Sequence, residues 1–337
     1  GIRDKLVTGV QTCALPILYH GYFLNLRHHV PAFAGTYYGS RLAWILPGAL
    51  VYSLFKALTA NLVLRLFLLT VSILAVFWQV QRRHGTRVSF LISLLACGCP
   101  TLLSAIGWDY VDGPVIAYGL WCVEELDAAL CLFENDRRYW HRLIFAGAAF
   151  GCALHSNIVF VVFAPLALRW IVPLRAQIWK ALSCLAVGFV GLTGVLGVVN
   201  WMLGGDPLFF RPTLWFLVGQ AGEPNRFRHE IGVWLPHATW LILPGLLSAA
   251  AIVVVVRWQH KRASGSMVFD ASLLPAAFVL LGILQAAGGH MLEYSFYGDY
   301  LLVFVPLSLG ALFSSVGLTA LLDRMKDRKS TRLNSSH

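Results

Sequence analysis

Four polar stretches interrupt an otherwise apolar chain, and each gathers residue types able to do chemistry. The first, YHGYFLNLRHHVPAFAGTYYGSR (19–41), is dense in Tyr and His and carries Arg27 and Arg41. The second, GWDYVDGP (107–114), holds Asp109 and Asp112. The third runs from Gly204 to Glu230 and holds Asp206, Arg211, Glu223, Arg226, Arg228, His229 and Glu230. The last, GGHMLEYSFYGDY (288–300), holds His290, Glu293 and Asp299. A carboxylate can take a proton from a hydroxyl nucleophile. Arginines can grip a phosphate through forked hydrogen bonds. Aromatic faces can stack on a sugar ring. None of these spacings is specific by itself. His290 and Glu293, spaced i to i+3, would face one way on a helix and could bind a metal; a solvated loop is the commoner outcome for such a pair.

Long apolar runs must position these stretches. Hydrophobic residues make up 58% of the chain, above the range of soluble domains. A membrane helix needs roughly 20 apolar residues. Candidate spans fall at about 59–80, 88–107, 114–133, 143–155, 156–172, 178–201, 237–256, 271–288 and 300–322. The run at 143–155 is short enough to be a half-span packed in a bundle. Basic clusters lie between the runs: Arg82/Arg83/Arg87, Arg137/Arg138/Arg142, Arg169/Arg175/Lys180, Arg257/Lys261/Arg262 and Arg324/Lys326. With these spans every cluster falls on one side, the cytoplasmic one by the positive-inside rule. The four polar stretches then share the extracytoplasmic side.

Residues 42–57 cannot cross without inverting all five clusters. They are expected to lie as a juxtamembrane helix in the outer interface, with Trp44 and Tyr52 as interfacial aromatics. The fold class expected is an all-α integral membrane protein: one polytopic bundle of about nine spans plus that outer helix, because lipid admits only helices or closed barrels. The setting expected is a multi-pass protein of a bacterial-type inner membrane, surrounded by membrane lipids. The formal charge of +10 sits in short clusters between apolar runs, so no nucleic-acid partner is expected. Cys97, Cys99, Cys122, Cys131, Cys152 and Cys184 lie in apolar runs without zinc-ligand spacing and read as packing residues.

Both ends read differently. One 33-base string translates as VTGVQTCALPI (7–17), and its reverse complement as DRKSTRLNSSH (327–337). The pattern looks like translated sequencing adapter, with 1–17 and 327–337 outside the native protein and 18–326 a truncated polytopic domain. Setting aside Arg3, Lys5, Arg328, Lys329, Arg332, Asp4 and Asp327 lowers the net charge to +7.

The layout of 18–326 resembles the GT-C glycosyltransferases. Within them it is most similar to the family 39-like group of protein O-mannosyltransferases and lipid A aminoarabinose transferases. Those carry a first-loop run of the type Asp-(Asp/Glu)-x-x-Tyr; here Tyr19-His20-Gly21-Tyr22 sits where that run ends. Tyr38-Gly39-Ser40-Arg41-Leu42 stands in the position of a Glu-Lys-Pro-Pro-Leu segment, and Tyr52-Ser53-Leu54-Phe55 matches a helix end of the type Tyr-x-Leu-Phe-Gly. Asp112 matches an Asp that often opens a span after the second outer loop. Tyr300-Leu301-Leu302 resembles Arg-Tyr-Leu-Leu-Pro, with Asp299 in place of Arg. The motifs are short and degenerate. Ser40-Arg41 keeps the positive charge of Glu-Lys and loses its acid.

The resemblance implies a polyprenyl-phosphate-linked sugar as donor, a lipid, glycan or protein acceptor, and inverting displacement at the anomeric carbon. Its catalytic Asp would fall at or before Leu18, so this chain is expected to transfer no sugar as it stands. Asp112 and Asp109 are then the candidate catalytic carboxylates. Arg41 and Arg27 would hold the donor phosphate, with Tyr22, Tyr38, His290 and Tyr300 as further substrate-binding candidates. Asp112 could instead bind acceptor, orient an arginine or help hold a divalent cation; as a bland alternative it is a helix N-terminal acid favoured by the dipole.

Two internal features stay open. Glu124, Glu125 and Asp127 fall inside a predicted span, where charges are costly and often functional; a boundary shifted toward the cytoplasmic end explains them as well. His155 and Asn157 could line a cavity, but capping and interhelical hydrogen bonding describe them better. A transporter or flippase of lipid-linked saccharide is the rival class, with a non-catalytic membrane protein the third. No internal repeat of the kind many transporters carry is visible.

Overall fold

The computed structural model describes residues 11–107, 110–133, 138–222, 242–260, 265–287 and 296–315. Among these every regular element is helical. The chain begins with α1 (Gln11–Leu24), α2 (Leu26–Ala32) and α3 (Leu42–Leu54). Next come α4 (Ala57–His84), α5 (Thr86–Cys97), α6 (Pro100–Gly107), α7 (Asp112–Leu132) and α8 (Tyr139–Ser156). A 3-10 turn (Ile158–Phe163), α9 (Ala164–Ile171) and a second 3-10 turn (Val172–Gln177) lead into α10 (Ile178–Met202) and α11 (Arg211–Gly222). The last elements are α12 (Ile242–His260), α13 (Gly265–Ala271), α14 (Leu273–Ala287), α15 (Phe296–Asp299), a 3-10 turn (Tyr300–Val303) and α16 (Val305–Ser315).

Among the described residues three runs are long and apolar enough to cross a membrane: Ala57–His84, Ile158–Arg175 and Ile178–Met202. The bent pair α5–α6 makes a fourth if it counts as one span, and shorter apolar helices stand at Leu42–Leu54, Ile242–Arg257, Met267–Ile283 and Val305–Ser315. The surface of the long helices explains why the chain suits lipid. On α4 the buried residues Ala60, Leu64, Leu68, Ala75 and Val76 form one helical stripe, the spacing of a single inward face. The other face exposes Leu58, Leu62, Leu66, Phe67, Leu74 and Trp78. A water-soluble protein rarely carries such a continuous apolar surface. The helix ends at Gly85, whose φ of 82° is the left-handed stop that glycine adopts without strain.

Helix α7 is the hub. Sixteen of its 21 residues are buried, as expected of a helix covered on all sides, and α4, α6, α8, α9 and the turn at 300–303 all pack on it. On its far side α8 meets α10 at a close crossing set by glycines. A Cβ on Gly147 would run into the Leu185 carbonyl, and one on Gly188 into the Ile144 carbonyl. Small residues let membrane helices approach this closely.

Several local expectations change. The predicted run 88–107 bends by 55° between α5 and α6. Pro100 cannot donate to the turn before it and instead starts α6, the position proline favours. The run 156–172 begins with two residues of different character: Asn157 is extended (φ −149°, ψ 117°), and a 3-10 turn follows. The run at 143–155 is longer than expected, since α8 takes in Tyr139–Arg142. Helix α3 forms within the predicted 42–57, but Trp44 and Tyr52 are both buried rather than interfacial. Helix α1 packs on α3 and sets Phe23 edge-on against Trp44 at 5.3 Å, so the indole finds a protein neighbour in place of the bilayer surface.

Candidate functional site

The two ends of α7 carry different chemistry. Asp112 opens the helix and Asp127 lies fifteen positions on, about 22 Å along the axis at 1.5 Å per residue. Each end collects its own charged cluster.

At the Asp112 end the central residue is Arg41. It is only 2% exposed and caps the N-terminus of α3. Its guanidinium carbon lies 4.4 Å from the ring centre of Tyr37, 4.7 Å from Tyr110, 5.5 Å from Tyr38 and 5.9 Å from Tyr19. Its Nη1 donates to the Tyr19 hydroxyl at 2.8 Å, while Nε is buried without a partner. Among the described residues no carboxylate comes within ion-pair distance of it. Tyrosine faces attract a cation but cannot neutralise it. A cation at a helix N-terminus also meets the positive end of the dipole. The cage is therefore a buried, positively biased spot.

Asp112 sits beside it, 5% exposed. Its Oδ1 accepts from the Tyr300 hydroxyl at 2.8 Å. That hydroxyl in turn accepts from Asn157 Nδ2 at 2.7 Å, and Asn157 Oδ1 caps the following turn by accepting from Val159 N at 3.1 Å. Three separated segments thus hold one carboxylate in place. Burial raises the Asp112 carboxyl to about 6, against the opposing pull of the Tyr300 hydrogen bond and the Arg41 charge. Asp299, one residue before Tyr300, is raised to about 7 by burial and then by the nearby Asp112. The outcome is a pair of carboxyls that titrate within about one pH unit of neutrality.

Of the residues singled out from sequence, Arg41, Tyr38, Asp112 and Tyr300 come together here. Tyr22 is buried nearby, against His29 and Phe33, outside the Arg41 cage. Arg27 is exposed on α2 and joins neither group. Asp109 and His290 lie outside the described residues, as do Glu223, Arg226, Arg228, His229, Glu230 and Glu293. Tyr37 and Tyr110 belong to the site without having been candidates, while Asn157 shows the capping and interhelical hydrogen bonding expected of it. The doubled tyrosine at 37–38 and the Tyr between the two second-loop acids were the only signals for the first two. A cavity of about 260 Å³ adjoins the first-loop segment, lined by Thr36, Gly39, Ser40, Asn200, Asp206 and Arg211 among others.

The Arg82 end settles the open acids structurally. Arg82 donates to Glu124 Oε1 at 2.7 Å and lies 3.5 Å from Asp127. Arg83 grips Asp127 Oδ1 through two nitrogens and lies 3.6 Å from Asp270. Arg142 reaches Glu125 at 3.0 Å. The three acids in α7 stand near the basic end of the helix and are paired, which offsets the cost of burying them. His155 takes an interhelical partner, Thr193, at 2.8 Å, as expected for it.

Comparison with protein-family models, with curated proteins and with solved structures finds no match for this chain. The functional argument therefore rests on the Asp112 end. Among the described residues no three of His, Cys, Asp and Glu gather as a metal ion would require; His290 and Glu293, the pair that could bind a metal, lie outside them.

Proposed function

We propose that the chain is the membrane domain of a glycosyltransferase with a GT-C-like bundle of about nine spans. In its native form the protein moves a sugar from a polyprenyl-phosphate carrier to an acceptor hydroxyl at the extracytoplasmic face of a bacterial-type inner membrane. The observation that carries this reading is the buried Arg41, which has no carboxylate within ion-pair distance among the described residues and lies one tyrosine ring away from the protonatable Asp112. The first group suits an anion such as a phosphodiester, and the second suits a hydroxyl.

In the reaction, the acceptor oxygen forms a bond to the anomeric carbon while the bond from that carbon to the phosphate oxygen breaks. The electron pair of the broken bond leaves with the polyprenyl phosphate, which gains one negative charge beside Arg41. The acceptor proton passes to a carboxylate, and Asp112 is the described one placed to orient the hydroxyl or take its proton. Tyr300 and Asn157 hold that carboxylate in one rotamer. Tyr37 and Tyr38 cover the guanidinium, so donor entry requires the non-helical segment 33–41 to move aside.

The donor half of the reading is tested by binding. The purified chain in detergent should bind farnesyl phosphate, followed by isothermal titration calorimetry. Arg41→Met should lose about tenfold or more in affinity, 1.4 kcal/mol per decade. Equal binding by the wild type and Arg41→Met would remove the phosphate role and with it the proposed donor.

A further inference from the structure

An apolar cavity has Asp299, the residue next to Tyr300, in its wall. A volume of about 670 Å³ lies between α4–α5–α6, the middle of α7, α12 and the stretch 298–309. Pockets of about 300–1,000 Å³ bury a small ligand almost completely. Its walls are aliphatic, with Leu95, Leu102, Leu247 and Leu302 among them. Among its described lining residues Thr101 and Asp299 supply the polar side chains, beside the Cys99 thiol. Leu243 and Leu246 line it while also being exposed on the outside of α12, so the cavity lies one side chain from the surface that faces lipid. Among the described lining residues the one acid is Asp299, whose carboxyl feels the charge of Asp112.

We infer that this cavity holds the acceptor, and that the acceptor is a lipid alcohol: its chain lies among the leucines and its hydroxyl meets Asp299 and Asp112. The inference rests on the transfer reading and narrows its acceptor from lipid, glycan or protein to a membrane-borne lipid. The chemistry of the polar end selects the head group. A phosphate there would face the Asp299 carboxyl, with the charge of Asp112 adding to the repulsion, whereas the cation that could hold one is in the tyrosine cage. A hydroxyl can donate to the carboxylate. With Asp299 raised to about 7, the pair carries less than its full charge near neutrality, which suits a neutral hydroxyl better than an ammonium group. The same hydroxyl supplies the proton that the transfer step must lose. A glycan or protein acceptor would have no use for an aliphatic wall, and burial of the lipid chain supplies the binding energy.

The test uses the full chain in nanodiscs of saturated phosphatidylcholine. The probe is a long-chain alcohol bearing a mid-chain diazirine and a terminal alkyne, compared with its phosphate monoester and its amine analogue. After irradiation, the alcohol should label peptides containing Cys99–Leu102 and Leu301–Leu309 in preference to the other two probes. Ala96→Trp, which fills the cavity, should lower that labelling about tenfold. An independent readout needs no variant. The alcohol should slow alkylation of Cys99, which lines the cavity, and leave exposed Cys97, which does not, at its unprotected rate. Stronger labelling by the phosphate or the amine, or equal protection of both cysteines, overturns the assignment. Farnesyl phosphate binding is read separately: if it survives while alcohol labelling fails, the lipid acceptor is lost and the donor site stands. If labelling succeeds and phosphate binding fails, the cavity keeps its occupant and the acceptor role falls.

Discussion

Tyr300 and Asp112 stand 188 positions apart in the chain and share a hydrogen bond of 2.8 Å, with the tyrosine hydroxyl as donor. Because the same hydroxyl accepts from Asn157, it polarises toward the carboxylate and locks the start of α7 and two 3-10 turns together. Tyr300→Phe leaves both Asp112 Oδ1 and Asn157 Nδ2 short of a partner in a buried site. A loss of about 1–3 kcal/mol is expected, read as a lower unfolding temperature in detergent. Asn157→Ala on top of Tyr300→Phe should cost less than the two single changes added together.

Arg41 is a recognition residue held by aromatic faces, and charge alone will not replace it. Arg41→Lys keeps the cation but loses the planar group that lies among four tyrosines and the forked donors that suit phosphate. Farnesyl phosphate binding by Arg41→Lys should fall between that of the wild type and Arg41→Met. Thermal stability should stay level or rise in Arg41→Met, because an apolar side chain removes a buried charge that no described carboxylate meets within ion-pair distance. A large drop in unfolding temperature would show that the cation serves packing instead.

The raised carboxyls make stability depend on pH with a definite sign. An unfolded Asp titrates near 3.9, whereas Asp112 is raised to about 6 and Asp299 to about 7. Between about pH 4 and pH 7 the folded state therefore holds protons that the unfolded state has released. The folded chain loses stability as pH rises through that window. Unfolding temperatures at pH 5 and pH 7.5 should differ in that direction for the wild type, and Asp112→Asn should shrink the difference. The two acids interact, so any titration reports the pair and not one residue.

At the other end of α7, Asp127→Asn leaves Arg83 without its closest partner in a buried setting. A cost of about 3–5 kcal/mol is expected, and the second change Arg83→Gln should recover part of it, as a double-mutant cycle on unfolding in detergent can measure. Farnesyl phosphate binding by the folded fraction should not change, since the two ends of the helix are about 22 Å apart.

The crossing of α8 and α10 has room for no side chain. Gly188→Val should push the helices apart, because its Cβ would collide with the Ile144 carbonyl. The expected result is loss of monodisperse protein on size exclusion, while Gly191→Ala, which meets nothing within 4 Å, should behave as the wild type.

Sequence by itself determined the helical class, since long apolar runs with basic ends leave few other ways to satisfy the backbone in lipid. It also placed Asp112 at a helix start, and it named Arg41, Tyr38 and Tyr300 as candidates through a resemblance. It gave two readings of Glu124, Glu125 and Asp127 equal standing, because a period of 3.6 says which face a residue takes and not which partner waits there. Only tertiary structure decided that Arg82, Arg83 and Arg142 meet these acids, that Trp44 is covered by α1, and that Tyr19, Tyr37 and Tyr110 close around Arg41. Those contacts join segments far apart in the chain, and their geometry follows from how helices of particular length and bend pack against α7. Spacing along a sequence carries no record of that packing.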